Sequence, residues 1–381
     1  MFERELKELK KRQLLRTILS RHAAQGPLII IGRKKYLNFS SNDYLGLASN
    51  PEILQAAHES LQKHAFGSGA SRLLAGGSVL HKSLEERIAK FKGTESALIF
   101  NSGYSANTGI IPAIASESDV IFSDSLNHAS IIDGCRLSRA RTLTYRHRDM
   151  ADLQLLMKKV KARRKVVITD SVFSMDGDLA PLPDIHKVCR RHGALLYLDD
   201  AHGTGVLGRG RGALAHFGIK PEPWIVQMGT FSKAFGAFGA FVAGSVDVVQ
   251  WIANTARSFL FSTALPSCVM VAAAAGLRLV ESDPSLVERL WSNRERLYEG
   301  LKAIGYSDVV SETPILTVRT STISDALRLS GFLFENGIYV PAIRPPTVRE
   351  PRLRITVSAA HTEKQINRLL TLLKKAGQLP A

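Results

Sequence analysis

The chain is poor in cysteine and has no long apolar run. Its three cysteines, Cys135, Cys189 and Cys268, are far apart and form no CxxC pair, which argues against a disulfide framework or a zinc site. The first residues are charged and amphipathic, and no segment reaches the roughly 18 apolar residues that a membrane helix needs. These absences predict a protein of the reducing cytoplasm that has no metal site and no membrane partner.

Acidic residues are also scarce in comparison with basic ones. The chain has 34 Asp and Glu against 50 Lys and Arg, which gives a formal net charge of +16. Such a balance favours anionic partners. The basic residues are scattered, however, and no recognition helix, zinc-finger spacing or aromatic RNA-binding signature accompanies them. We therefore predict a solvated basic surface and no nucleic-acid partner.

The spacing of apolar residues predicts three segments in this chain of 381 residues. Residues 1–45 form an N-terminal helix and strand segment, with the helix over residues 2–22. Residues 46–282 form a large domain. Residues 283–381 form a smaller C-terminal domain, in which few strands and flanking helices predict an α+β fold.

Short apolar runs alternate with helical patterns across the large segment. Strand–helix alternation with nearly continuous apolar strands predicts an α/β domain whose mostly parallel sheet is covered on both faces. The runs predicted as buried strands are Ala97–Phe100, Val120–Phe122, Val166–Thr169, Leu195–Leu198, Ile225–Met228 and Phe241–Ala243.

Lys233 stands among small and apolar residues directly after one of these strands, in the segment TFSKAFG. Desolvation at such a place lowers the pKa of a lysine, which a Schiff-base lysine needs. Thr230 and Ser232 offer hydroxyl groups to a phosphate, and nearby glycines allow a close approach of the backbone. A lone lysine in a surface turn is the alternative.

Other predicted strands also end in polar residues, where open α/β sheets place their ligands. Asp199 ends an apolar strand and His202 follows it. A buried carboxylate at Asp199 would suit a protonated pyridine nitrogen. Gly103 and Tyr104 open a helix, whose free N–H groups suit a phosphate, and His128 could stack on a planar ring. Helix caps, turns and structural histidines are the alternatives for each motif taken singly.

Arg354 lies in a predicted strand in which it and Arg352 face the same way, opposite to Leu353. An arginine fork suits a carboxylate. A solvated strand face is the alternative.

Nine segments, in this order along the chain, resemble the α-oxoamine synthase family within the fold type I pyridoxal-phosphate enzymes. Nine motifs in register make a chance match very improbable. They are NFSSNDYLGL (38–47), GSGASRLLAGG (67–77), FNSGYSAN (100–107), DSLNHASIIDG (124–134), DSVFSMDGDLAPL (170–182), LDDAHGTGVLGRGRG (198–212), GTFSKAFGAFG (229–239), FSTALP (261–266) and RLRITVSAAHT (352–362). One departure is Asp170, which stands where the family often has glutamate.

The resemblance implies roles toward pyridoxal 5′-phosphate. Lys233 would be the Schiff-base lysine and the proton carrier. Asp199 would pair with the pyridine nitrogen, His202 with the 3-hydroxyl of the ring, and His128 would stack on the ring. The phosphate would be held by Gly103, Tyr104, Ser174 and Thr230, and by Thr263 of the neighbouring subunit. The resemblance therefore implies a homodimer with shared active sites.

The resemblance also implies substrate contacts. Asn42 and Arg354 would hold an amino acid, Arg354 through the carboxylate. Arg16 would touch the acyl substrate, and Arg344 and Thr347 lie in the segment AIRPPTV, which is similar to a signature of the members that use L-alanine and a pimeloyl thioester.

The implied activity is that of a pyridoxal-phosphate-dependent acyltransferase. It would condense L-alanine with pimeloyl-coenzyme A or pimeloyl-acyl carrier protein, with loss of carbon dioxide, in biotin biosynthesis. The alternative within the family is the condensation of glycine with acetyl-coenzyme A. A non-catalytic protein of the same fold would be expected to lack Lys233 or Asp199, and both are present.

Overall fold

A computed structural model describes residues 1–309 and 311–377. Its internal contacts divide the chain into two units. Unit 1 comprises Met1–Ser49, Ser174–Asp178 and the described part of Glu288–Ala381, so both ends of the chain belong to it. Unit 2 comprises Asn50–Phe173 and Leu179–Val287. The three-segment division stays a prediction, and residues 310 and 378–381 of its last segment lie outside the described residues.

The described residues form fourteen helices and thirteen strands. The helices are α1 Glu3–Lys11, α2 Pro51–His64, α3 Val79–Lys92, α4 Gly103–Ile114, α5 Ala129–Ser138, α6 Met150–Lys159, α7 Leu182–His192, α8 Ala213–His216, α9 Val246–Thr255, α10 Arg257–Leu260, α11 Ser267–Ser282, α12 Ser285–Ala303, α13 Ile323–Glu335 and α14 Glu363–Gly377. The strands are β1 Leu28–Ile31, β2 Lys34–Asn38, β3 Ser96–Phe100, β4 Val120–Asp124, β5 Arg141–Tyr145, β6 Lys165–Asp170, β7 Leu195–Asp199, β8 Ile225–Thr230, β9 Ala240–Gly244, β10 Ile315–Arg319, β11 Ile338–Tyr339, β12 Ala342–Ile343 and β13 Arg352–Thr356.

Unit 2 contains a seven-stranded sheet in the order β3-β9-β8-β7-β6-β4-β5. Strand β9 is antiparallel to both of its neighbours, and the other pairs are parallel. Every residue of β4, β8 and β9 is buried, so both faces of these strands are covered. The predicted α/β class and the mostly parallel sheet are confirmed.

Unit 1 contains two small sheets, in the orders β1-β2-β11 and β10-β13-β12. In the first, β2 pairs antiparallel with β1 and parallel with β11. The second is antiparallel throughout, and β13 lies at its centre with all five of its residues buried. Together with α13 and α14, these sheets agree with the predicted α+β part of the chain.

Two sequence predictions of local structure need correction. The helix predicted over residues 2–22 is present but too long in the prediction: α1 spans Glu3–Lys11, and Gln13 has a φ of 57°. No residue of α1 is buried, and residues 12–22 are exposed apart from the half-buried Leu14, so no packing against a core stabilises a longer helix. Strand β5 was missed, because only Tyr145 of its five residues is buried and an edge strand of this kind has no continuous apolar run.

Within the described part of the chain, no helix has both the length and the apolar character required to cross a bilayer. The same residues contain no group of three or more His, Cys, Asp or Glu side chains that could hold a metal ion.

Candidate active site

The parallel strands of unit 2 bring polar residues to one edge of the sheet. Asp170 ends β6, Asp199 ends β7 and Thr230 ends β8, while His128 follows β4. The carboxyl ends of parallel strands meet at the same edge, which explains why residues far apart in sequence converge. The predicted site residues Gly103, Tyr104, His128, Asp199, His202, Thr230 and Lys233 all line one cavity of about 200 Å³.

The carboxyl group of Asp199 is buried at the end of β7. Its Oδ2 accepts a hydrogen bond from Asn107 Nδ2 at 2.7 Å, and its Oδ1 accepts one from the Ala201 N–H at 3.0 Å. Burial raises the pKa of Asp199, and the charge of Lys233 opposes this shift. A protonated pyridine nitrogen would favour the ionised carboxylate in the same way, so the donor set fits the predicted cofactor.

Asn107 is a site residue that sequence reasoning missed. Its Oδ1 accepts a hydrogen bond from the Tyr197 hydroxyl at 2.6 Å, and its Nδ2 also donates to Ser130 Oγ at 2.8 Å. Both contacts orient the amide that binds Asp199. A signal was present, since Asn107 lies four residues after Gly103 and therefore on the same face of α4.

His128 is the N-terminal cap of α5, and its ring lines the cavity. Ser130 Oγ lies 2.7 Å from the Nδ1 atom of His128, and the backbone N–H of His128 donates to Asp170 Oδ2 at 2.7 Å. Burial lowers the pKa of His128, which favours a neutral imidazole; the charge of Asp199 opposes this shift and that of Lys233 adds to it. A neutral imidazole that is positioned by contacts with α5 and β6 suits stacking against a planar aromatic group.

The start of α4 supplies backbone donors to the cavity. Ser102 caps the helix by accepting a hydrogen bond from the Ser105 N–H at 3.1 Å. This capping leaves the N–H groups of Gly103 and Tyr104 in the first turn, where a helix favours an anion. Thr230 Oγ1 donates to the Gly239 carbonyl at 2.8 Å and lies 2.7 Å from Ser232 Oγ, so both hydroxyl groups border the same space.

A second buried cluster begins at Asp200, the neighbour of Asp199 in sequence. Lys92 Nζ lies 2.8 Å from Asp200 Oδ2 and also donates to Thr204 Oγ1 at 3.3 Å and to the Arg211 carbonyl at 2.8 Å. Asp200 Oδ1 accepts a hydrogen bond from Ser171 Oγ at 2.7 Å. The cluster fixes the loop that contains His202.

Glycines 203 and 212 complete this cluster. A Cβ atom added to either Gly203 or Gly212 would collide with the carboxylate of Asp200, and Gly212 also has a φ of 103°. The loop therefore closes around Asp200 only when both positions lack a side chain.

Thr263 also belongs to unit 2 but does not line the cavity formed by its own chain. Its carbonyl accepts a hydrogen bond from Asn101 Nδ2 at 2.9 Å, and its backbone forms an isolated bridge with Ser71. Its assignment to the phosphate of a neighbouring subunit stays a prediction.

Unit 1 brings Arg354, Asn42 and Ser174 together. The buried guanidinium of Arg354 donates to Asn42 Oδ1 at 3.1 Å, to the Ser174 carbonyl at 2.5 Å and to Thr356 Oγ1 at 3.2 Å. Among the described residues, no carboxylate lies within ion-pair distance of Arg354, whereas Arg352 pairs with Asp176. A buried cation held only by neutral oxygens fits a carboxylate ligand. The roles of Asn42 and Ser174 stay predictions.

The other predicted substrate residues also meet within unit 1. Arg16 Nη2 donates to Thr347 Oγ1 at 3.1 Å. Arg344 donates to the carbonyls of Gln13 and Leu15, each at 2.7 Å. Burial and the neighbouring charge of Arg16 lower the pKa of Arg344. Two like charges side by side fit an anionic ligand.

Comparisons with known proteins agree with this geometry. Residues 34–373 match the model of the family described as aminotransferase class I and II. A putative 8-amino-7-oxononanoate synthase of Thermodesulfovibrio yellowstonii is 49% identical over 377 residues, which cover 98% of this chain and 97% of the relative. An 8-amino-7-oxononanoate synthase of Geobacter sulfurreducens is 46% identical, covering 98% and 97%. The structure of a serine palmitoyltransferase from S. paucimobilis with bound PLP and myriocin is 30% identical, with a TM-score of 0.93 over 99% of this chain and 97% of that chain.

Proposed function

Because the chain belongs to the aminotransferase class I and II family, we propose that it is a pyridoxal-phosphate-dependent acyltransferase of biotin biosynthesis. It condenses L-alanine with a pimeloyl thioester of coenzyme A or acyl carrier protein. The products are 8-amino-7-oxononanoate, carbon dioxide and the free thiol. The observation that supports this activity most directly is the cavity in which Lys233 meets Asp199 and His128.

The residues of the cavity fit pyridoxal 5′-phosphate. Asp199 would hold the pyridine nitrogen, His128 would lie against the ring, and His202 would contact the 3-hydroxyl group. The N–H groups of Gly103 and Tyr104 would bind the phosphate. When bound, this cofactor supplies an electron sink for negative charge that develops at the α-carbon of the amino acid.

The chain itself handles the protons of the reaction. Asp199 would keep a proton on the pyridine nitrogen of the bound cofactor by remaining ionised, which the hydrogen bonds from Asn107 and Ala201 favour. Lys233 Nζ removes the α-proton of alanine as a general base, and later returns a proton to the same carbon.

Arginines in unit 1 are proposed to bind the substrates. Arg354, oriented by Asn42 and by the Ser174 carbonyl, would bind the carboxylate of alanine through its fork. Arg16, Arg344 and Thr347 would bind an anionic group of the acyl substrate.

We further propose that the enzyme works as a homodimer in which Thr263 reaches the phosphate of the partner. Large apolar side chains are exposed in the neighbouring segments of unit 2: Leu74 is 80% exposed and Phe261 is 72% exposed. Exposed apolar patches of this kind are typical of interfaces. Mixing Lys233→Ala with Thr263→Ala subunits should give more activity than either parent, since one site of each hybrid would be intact; equal activity would contradict a shared site.

The cysteines support a cytoplasmic location, which we also propose. Cys135, Cys189 and Cys268 are buried and unpaired, as expected in a reducing compartment. Recovery of the native enzyme in another cell fraction would contradict this location.

The activity is tested by adding substrates to the purified protein with pyridoxal phosphate. We expect a visible cofactor absorbance that changes with L-alanine, followed by thiol release when pimeloyl-coenzyme A is added. A response to glycine and acetyl-coenzyme A in place of this pair would keep the family and contradict the proposed pathway. A protein that binds no cofactor would contradict the proposal altogether.

A further inference from the structure

Two buried carboxyl groups lie side by side in the cavity. Asp170 and Asp199 are register partners at the ends of the adjacent parallel strands β6 and β7, so their side chains point to the same face. Asp170 is 6% exposed and Asp199 is 4% exposed, and both line the cavity with Lys233. The proposed roles use Asp199 and leave Asp170 without one.

The charges around this pair are unbalanced. Lys233 approaches from the loop after β8, and His128, which faces the pair from the start of α5, favours its neutral form. Asp124, at the end of β4, adds another carboxylate, which is itself bound to His147 Nδ1 at 2.9 Å. One amine therefore faces two adjacent buried carboxyl groups. Two carboxyl groups that share such a site do not both ionise readily, and one of them keeps its proton.

The hydrogen bonds indicate which carboxyl group keeps the proton. Asp199 accepts a donor on each oxygen, from Asn107 and from Ala201. Among the described residues, Asp170 accepts a hydrogen bond only on Oδ2, from the His128 N–H at 2.7 Å. Burial and the neighbouring charge of Asp199 raise the pKa of Asp170 well above its usual value. Its Oδ1 can therefore carry a proton while Oδ2 accepts.

We propose that Asp170 is a positioning residue that keeps its proton in the working enzyme, so that the Asp170–Asp199 pair carries one negative charge, located on Asp199. Neutral Asp170 still holds the turn of His128 through Oδ2, and its own N–H donates to Asn127 Oδ1 at 2.9 Å. Lys233 then faces a single ionised partner in this pair. A second negative charge would stabilise the protonated form of the Lys233 amine and leave less of the free amine that acts as the general base. This inference rests on the proposed function, in which Lys233 must release that proton.

Difference infrared spectroscopy of the holoenzyme at neutral pH tests the proton directly. A protonated buried carboxyl group has a carbonyl stretch that a carboxylate lacks. We expect this band in the wild type, its loss in Asp170→Asn, and its retention in Asp308→Asn, an exposed control. A band that persists in Asp170→Asn would assign the proton to another carboxyl group and overturn the proposal, as would the absence of the band from the wild type.

Cofactor affinity tests the positioning role. Asparagine can still accept the hydrogen bond from His128 without a charge, whereas alanine cannot. We expect Asp170→Ala to raise the dissociation constant for pyridoxal phosphate by roughly tenfold, about the effect of one lost hydrogen bond, and Asp170→Asn to raise it clearly less. Equal or greater loss in Asp170→Asn would show that the negative charge of Asp170 is needed, which contradicts the proposal.

Both measurements are independent of turnover. If the wild type fails to condense alanine with pimeloyl-coenzyme A but the carbonyl band and the affinities behave as expected, the proposed function fails and the proton assignment stands. If condensation occurs and the carbonyl band is absent from the wild type, the proton assignment fails and the proposed function stands.

Discussion

Asp199 and Asp200 are neighbours in sequence but lie in two different buried regions. The regions differ in whether each buried carboxyl group has a cationic partner of its own. The Asp200 region pairs its carboxylate with Lys92, whose ammonium group uses three acceptors of the chain. The Asp199 region places two carboxyl groups beside Lys233, and burial raises the pKa of both. The chain completes the first region with its own atoms, as a structural cluster requires. In the second region, the state of each charge depends on what the site binds, which is typical of a catalytic site.

The largest effect is expected in the second region. Lys233→Ala removes the general base and should reduce condensation by about 10⁴-fold or more, the upper range of such catalysis. Its free energy of unfolding should change little. Thiol release and denaturant unfolding measure the two quantities, with the exposed Lys187→Ala as the control. Appreciable condensation by the variant would contradict the assignment of Lys233.

In the first region, Lys92→Met should act on stability. It leaves Asp200 as an uncompensated buried charge and should lower the free energy of unfolding by ~3–5 kcal/mol. Adding Asp200→Asn should recover part of this loss, because the stranded charge is removed. Denaturant unfolding measures both variants, and Lys187→Met, which breaks an exposed ion pair with Asp184, should have little effect. A Lys92→Met protein as stable as the wild type would remove the contrast between the two regions.

Asp199→Asn tests the charge that the second region keeps. The amide preserves the shape but not the negative charge beside the ring nitrogen, so kcat should fall on the order of 10²–10³-fold. The free energy of unfolding should fall by only ~1–3 kcal/mol, because the amide NH2 group would face one of the two donors that the carboxylate accepts, Asn107 Nδ2 or the Ala201 N–H. Measurements of kcat and of denaturant unfolding on the same variant would check that the change acts mainly on catalysis. A variant that is strongly destabilised but fully active would place Asp199 with the structural residues.

The smallest effect concerns a buried histidine whose two ring nitrogens both have hydrogen-bond partners while the ring is neutral. His361 in unit 1 accepts from the Ser358 N–H and donates to the Asn38 carbonyl, and burial lowers its pKa to about 4. The ordinary pKa of a histidine is near 6.5. Between this pH and about pH 4, the unfolded chain therefore binds a proton at His361 more readily than the folded chain does. Stability should fall by about 1.4 kcal/mol per pH unit between these values, from this group alone.

Unfolding curves of the wild type and His361→Asn at several pH values isolate this contribution. The variant is expected to be less stable at neutral pH but to show a shallower slope below it. An identical slope would assign the pH dependence to other groups.

The sheet and most of the cavity could be predicted because their signals are local. Each buried strand is a short apolar run, and Lys233, Asp199 and His128 directly follow such runs. The contacts of Lys92 and Asn107 could not be predicted in the same way. Lys92 lies in the last turn of α3, where a lysine is ordinary, and it meets Asp200 only through tertiary packing over 108 residues. Asn107 likewise meets Asp199 across 92 residues.

The crowded loop around Asp200 limits how the sequence can drift during evolution. At Gly203 and Gly212, a library of all amino acids should return functional clones with glycine alone. Gly193 and Gly218 have φ values of 57° and 65° but no neighbouring atom within 4 Å of an added Cβ, so asparagine should be accepted there. Four glycines that look alike in the sequence therefore divide into two that no side chain can replace and two that accept a residue suited to a positive φ.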